Sequence, residues 1–79
     1  MKIEDANKIS YTVVAFLKEE RIRQGMSQYK LAKECGLSKT SVAFIERNEN
    51  KPTLSTLVRI ADALNVDLSE YLQKALKSE

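Results

Sequence analysis

Apolar residues along this chain recur at spacings of three and four, the repeat of one helix face, in five stretches separated by short polar turns. The first stretch predicts a helix from about Ser10, or somewhat earlier, to Gln24, with Val13, Phe16, Leu17 and Ile22 as candidate buried positions and Gly25 as a left-handed stop. Ser27 then reads as an N-cap, and Gln28–Cys35 as a helix of about two turns with Leu31, Ala32 and Cys35 on one face. Gly36 supplies the positive backbone dihedral that a sharp turn needs, and Leu37 plugs the corner. Ser38 caps a third helix that runs to about Arg47 with Val42 and Ile45 pointing inward. The polar segment from Asn48 to Pro52 is a loop, after which Thr53 caps a fourth helix through about Leu64, striped by Leu57, Ile60, Ala61 and Leu64. Asp67, with Glu70 three residues on, has the pattern of a capping box opening a fifth helix, apolar at Leu68, Leu72, Ala75 and Leu76. Only Val13-Val14 hints weakly at a strand. The expected fold is all-α, a compact five-helix bundle; without repeats, low-complexity tracts or linkers, residues 1–79 are expected to form one domain.

Composition narrows the chemistry. A chain of 79 residues builds one small core, and 43% hydrophobic with 30% charged residues is ordinary for a globular chain. The longest apolar run, Val13 to Leu17, falls far short of the ~20 residues that cross a bilayer. Glu4 and Asp5 stand where a secretory signal would be basic and then apolar, so a cytoplasmic location and no membrane partner are expected. One cysteine and no histidine leave no internal disulfide and no zinc-ligand cluster, so neither metal nor cofactor is expected. An enzyme is disfavoured as well: there is no glycine-rich phosphate loop, no pair of acids in an apolar pocket, and nothing to activate Cys35 beyond a helix end.

The net charge of +2 is small, but its distribution is uneven. Residues 21–51 carry seven bases (Arg21, Arg23, Lys30, Lys33, Lys39, Arg47, Lys51) against three acids, while each flank has one more acid than base. A basic middle suits a polyanion, although solvated helix faces also carry lysine. The informative object lies within that middle, from Gln28 to Arg47, where two short helices meet at a glycine turn. Ala32 lets the second helix approach the third, Gly36 turns without a Cβ clash, and Val42 with Ile45 holds the third helix on the core. The outer face left free presents Lys39, Thr40, Ala43 and Phe44, edged by Ser41 and Arg47, with the positive end of the helix dipole at its start. A helix of this kind fits the major groove of B-DNA.

At these offsets, and again through Pro52-Thr53-Leu54 and Leu57 to Val66, the chain resembles the Cro/repressor (Xre-like) helix-turn-helix family, from roughly Leu17 to Leu72. The resemblance implies a lambda-repressor-like fold with the helix-turn-helix at residues 28–47, and a double-stranded DNA partner. It implies that Ser27 and Gln28 meet a DNA phosphate, and that Lys39, Thr40 and Ser41 reach base edges, Ser41 with backbone as the alternative. By the same resemblance Arg47 and Lys51 clamp phosphates beyond the third helix, and Arg21 with Glu46 forms a buried structural ion pair. Phe44 departs from the family pattern, which has a polar or small base-contacting residue there. Two readings stand: it touches a thymine methyl, or it packs locally.

Proteins of this type gain specificity by setting two recognition helices about one DNA turn, ~34 Å, apart, so a homodimer on a pseudo-palindromic operator is expected. The fifth helix, residues 67–77, offers the seam through Tyr71, Ala75 and Leu76, unless Tyr71 and Leu76 merely cover the N-terminal segment; residues 1–9 are a further candidate. With no separate ligand-binding domain in these residues, regulation is expected through concentration, dimerisation or a partner. Phage repressors, restriction-modification controllers and antitoxins are the kinds of stand-alone protein the chain resembles. The rival reading is a protein-interaction module or antitoxin that uses the same fold; Phe44 on the outer face is the one feature that favours it.

Overall fold

A computed structural model, which describes residues 1–77, folds the chain into α1 (Ile3–Arg23), α2 (Gln28–Cys35), α3 (Lys39–Glu46), α4 (Leu54–Leu64) and α5 (Leu68–Lys77). There is no strand among the described residues. The three inner helices begin on hydroxyl caps. Ser27 Oγ accepts the Lys30 amide at 3.0 Å, Ser38 Oγ the Ser41 amide at 3.0 Å, and Thr53 Oγ1 the Thr56 amide at 3.1 Å. Each cap satisfies an amide that the helix cannot pair internally, a contribution of about 1 kcal/mol.

The stops are equally local. Gly25 (φ 70°) follows α1, and the Met26 amide reaches back to the Arg21 carbonyl at 3.0 Å, closing the turn. Gly36 (φ 74°) ends α2, while Asn48 (φ 61°) and Asn65 (φ 59°) occupy the same left-handed region, which asparagine tolerates better than other non-glycine residues.

One boundary differs from the sequence expectation. α1 begins at Ile3, well before Ser10, with Glu4 and Asp5 in its first turn facing the positive end of the helix dipole. The Asp5 carboxylate accepts the Lys2 amide at 3.2 Å. Ile9 is the first buried side chain, so the preceding residues carry no periodic apolar signal. α5 begins at Leu68, as the Asp67 cap pattern predicts, and the Asp67 carboxylate accepts the amide and hydroxyl of Ser69, at 2.9 and 2.6 Å.

All five helices feed one core. Val13, Leu31, Val42 and Leu64, one from each of the first four helices, are its largest fully buried side chains. α2 packs on α3 and α4, and α1 runs beneath α3 and α4 before α5 folds back onto it. Two expected positions are corrected by this packing. Ile22 is 57% exposed because Arg21 takes the inward place at that level of α1. Ala75, expected at a dimer seam, is 1% exposed and belongs to the chain's own core, where its small side chain lets α5 settle closely on the bundle. Of its neighbours, Tyr71 is half-buried with its ring 5.6 Å from that of Phe16, and Leu76 stays 51% exposed. No described helix is long and apolar enough to cross a membrane.

Because Leu64 is 1% exposed at the centre of this core, Leu64→Ala is expected to lower stability by about 2–5 kcal/mol, read as a shift in the urea midpoint with an unchanged slope.

Candidate nucleic-acid interface

The faces of α3 divide cleanly. Val42 and Ile45 are 1% and 5% exposed against the core, whereas Lys39, Thr40 and Phe44 face solvent. Lys39, Thr40, Ala43, Phe44 and Arg47 line one shallow depression on that outer side. Ser41 sits half-buried at its edge, its hydroxyl 2.9 Å from Ser38 Oγ, so it is partly engaged within its own turn.

The first turns of α2 and α3 contain no acid, in contrast to α1 with Glu4 and Asp5 and α5 with Glu70. Lys39 even begins α3, where a cation opposes the positive end of the dipole. That choice costs local helix stability and leaves both N-termini attractive to an anion.

A polar knot fixes α3 from below. Arg21 donates from Nε to Glu46 Oε2 at 2.7 Å and from Nη2 to Glu46 Oε1 at 2.9 Å, and its Nη1 donates to the Met26 carbonyl at 2.7 Å. Gln28 Nε2 donates to the same Glu46 Oε1 at 3.0 Å. One carboxylate thus joins α1, the start of α2 and the end of α3. The pair is well shielded, with side-chain exposures of 11% for Arg21 and 6% for Glu46. Gln28 Nε2 has a second amide hydrogen, so this bracing bond does not use up its donor capacity.

The flanking cations hold intramolecular partners. Arg47 Nε and Nη2 lie 2.7 and 3.4 Å from the Glu49 carboxylate, and its guanidinium lies over the Phe44 ring, 5.2 Å from the centroid. Lys51 Nζ donates to Asn7 Oδ1 at 2.8 Å, which links the loop after α3 to the beginning of α1. The Arg47–Glu49 pair is exposed at both ends and worth about 0–1 kcal/mol, so a phosphate can displace it at little cost. Glu49 was visible as a neighbouring acid, but nothing in the sequence marks Asn7, which comes from the far end of the chain. Ser27, the remaining expected phosphate contact, uses its hydroxyl as the α2 cap.

Perturbed titrations lie away from this face. Arg23 and Gln24, bonded to Glu20, hold its carboxyl down at about 2. Hydrogen bonds from Ser69 lower Asp67. Burial pushes the Cys35 thiol and the Tyr71 phenol up, so Cys35 is a core residue with little thiolate rather than a nucleophile. Among the described residues no group of His, Cys, Asp and Glu is arranged to hold a metal ion.

The chain belongs to the helix-turn-helix family, whose model matches residues 17–71. Its two-helix unit, glycine turn and exposed third helix are the family's features as they stand here. It is 45% identical over 56 residues to the HTH-type transcriptional regulator SutR of Escherichia coli, covering 71% of this chain and 32% of SutR. Over 55 residues it is 42% identical to the control protein C.SmaI of Serratia marcescens, covering 68% of this chain and 66% of that protein. The chain thus spans about a third of the length of the first relative and about two thirds of the second. Among solved structures, the wild-type restriction-modification controller protein C.Esp1396I superposes with a TM-score of 0.73 at 32% identity, over 87% of this chain and 95% of that one. The all-α bundle is accordingly of the lambda-repressor-like type.

Removing one partner from the knot strands a shielded charge, whereas the exposed pair tolerates loss. Glu46→Ala is expected to destabilise the fold by about 3–5 kcal/mol, and Glu49→Ala by less than about 1 kcal/mol, compared in parallel chemical denaturation.

Proposed function

We propose that this chain is a sequence-specific double-stranded DNA-binding regulator of transcription that acts as a homodimer on a pseudo-palindromic operator. The observation that carries the reading is the two-sided α3, held to the core by Val42 and Ile45 and tethered through Glu46, with Lys39, Thr40 and Phe44 facing outward. A helix so presented enters the major groove, where Lys39 donates to guanine O6 or N7 and Thr40 uses its hydroxyl or methyl group. Ser41, half-engaged with Ser38, meets backbone or base edge. Ser27 and Gln28 bind a phosphate at the acid-free start of α2. Arg47 and Lys51 exchange Glu49 and Asn7 for phosphates on the far side of the groove. SutR, a transcriptional regulator, and C.SmaI, a control protein, support the same reading. A protein-binding or antitoxin role rests on Phe44 alone, which is 39% exposed.

With Ala75 committed to the core, the proposed seam reduces to Leu76 and the accessible edge of Tyr71. Leu76 is apolar, half in solvent and near the end of the last helix, where a symmetry mate can cover it.

Binding to duplex DNA is expected to weaken steeply as salt rises, and the double variant Arg47→Ala with Lys51→Ala to flatten the log–log slope by about 2, one for each phosphate no longer neutralised. Salt-independent binding would count against the assignment. Separately, Leu76→Asp is expected to shift the protein from dimer to monomer in light-scattering chromatography while its melting temperature barely changes; an unaltered mass would place the seam elsewhere.

A further inference from the structure

Phe44 has no place in the core. It leaves 39% of its surface in solvent, on the outer side of a short helix whose other side is packed by Val42 and Ile45. Among the described residues the ring's one aromatic or cation contact is with a cation: the Arg47 guanidinium lies 5.2 Å from the ring centroid. That guanidinium is in turn held along its Nε and Nη2 edge by Glu49. A guanidinium over the face of a ring is attractive, and here it restrains the ring from one side while the ring's exposed surface stays open. The open part lies beside Ala43 in the depression that Lys39 and Thr40 also line. An apolar spot of one ring and one methyl group is thus bordered by two cations and a hydroxyl.

This combination has a chemical complement in duplex DNA. The cations suit phosphates and guanine acceptors, and the only apolar group on the floor of the major groove is the C5-methyl of a pyrimidine. Cytosine lacks that methyl, and thymine and 5-methylcytosine both carry it. We infer that Phe44, positioned by the stacked Arg47, reads the 5-methyl group of a pyrimidine, which makes the protein responsive both to thymine and to cytosine methylation at that step. The inference rests on the DNA-binding reading and deepens it. Phe44 is the residue in contact with the methyl group; Arg47 acts on recognition through the ring, and its guanidinium stays over the ring when the exposed Glu49 carboxylate is exchanged for a phosphate.

The test uses the full chain and the duplex it selects from random DNA, with affinities measured by fluorescence anisotropy. Each thymine is replaced singly by uracil, which removes only the methyl group, and at the sensitive step a C·G pair is compared with 5-methyl-C·G. At one step per half-site the loss on uracil substitution is expected to be about 3- to 10-fold, with 5-methylcytosine favoured over cytosine by a similar factor. Phe44→Ala, at an exposed position, is expected to stay folded by circular dichroism and to bind with a thymine-to-uracil ratio near one. Arg47→Lys keeps the charge but not the plane, so the salt slope is expected to hold while the methyl preference shrinks. A salt slope and a methyl preference both retained in Arg47→Lys would overturn the positioning role of the stack. Uracil tolerated at every thymine by the wild-type protein would overturn the inference while leaving DNA binding intact. Failure to select any duplex would overturn both.

Discussion

Three donors converge on the Glu46 carboxylate: Nε and Nη2 of Arg21 and Nε2 of Gln28, while the third nitrogen of Arg21 holds the Met26 carbonyl. Apolar packing alone is poor at fixing how an eight-residue helix is rotated, because Val42 and Ile45 are satisfied over a range of small rolls. Directional bonds at the far end of α3 remove that freedom. The Gly36 turn constrains the near end, so the helix is located at two points. A shielded ion pair of this kind seldom adds net stability over a well-packed apolar substitute. Its bonds tie the end of α3 to α1 and to the start of α2.

The electrostatics of that face are arranged for something outside the chain. α1 and α5 begin with acids that complement their own dipoles, whereas α2, α3 and α4 begin without them, and α3 alone of these begins with a cation, Lys39. Of the two cations that border the face on its far side, Arg47 is held by the exposed Glu49 and lies over the Phe44 ring, and Lys51 is held by the half-buried Asn7. Such pairs keep long side chains in place in the free protein and yield readily to a stronger anion. A lysine at the start of α3 costs helix stability there, a cost that an anion placed at that end would offset.

Much of the fold was legible because its signals are short-range. Ser27, Ser38 and Thr53 cap the helices they precede, and Gly25 and Gly36 take positive φ; each outcome depends on a few neighbouring residues. The beginning of α1 was illegible for the converse reason: its first turns bury nothing until Ile9 and start on Lys2, which has no capping hydroxyl. Asn65 was missed as a left-handed stop because asparagine is an optional, not an obligatory, occupant of that region. Candidate site residues were readable as types at helical offsets, and Lys39, Thr40 and Phe44 do share an exposed face. The bonds of Arg47 to Glu49 and Phe44, and of Lys51 to Asn7, were not, since side-chain pairing depends on which rotamers the packed neighbours leave available.

By itself the sequence determined five helices, the hydroxyl caps of the three inner ones, the two glycine turns, and which side of α3 turns inward, since local hydrogen bonding and a 3.6-residue period carry that information. Only the tertiary structure decided between side chains of similar character. It put Arg21 inside and Ile22 outside, drew Ala75 into the core while leaving Leu76 in solvent, and set Phe44 under a guanidinium instead of into the bundle. The reason is physical: burial is a property of how helices far apart in the chain cross one another, and a pattern of residue types fixes the faces of each helix without fixing the angles and depths at which those faces meet.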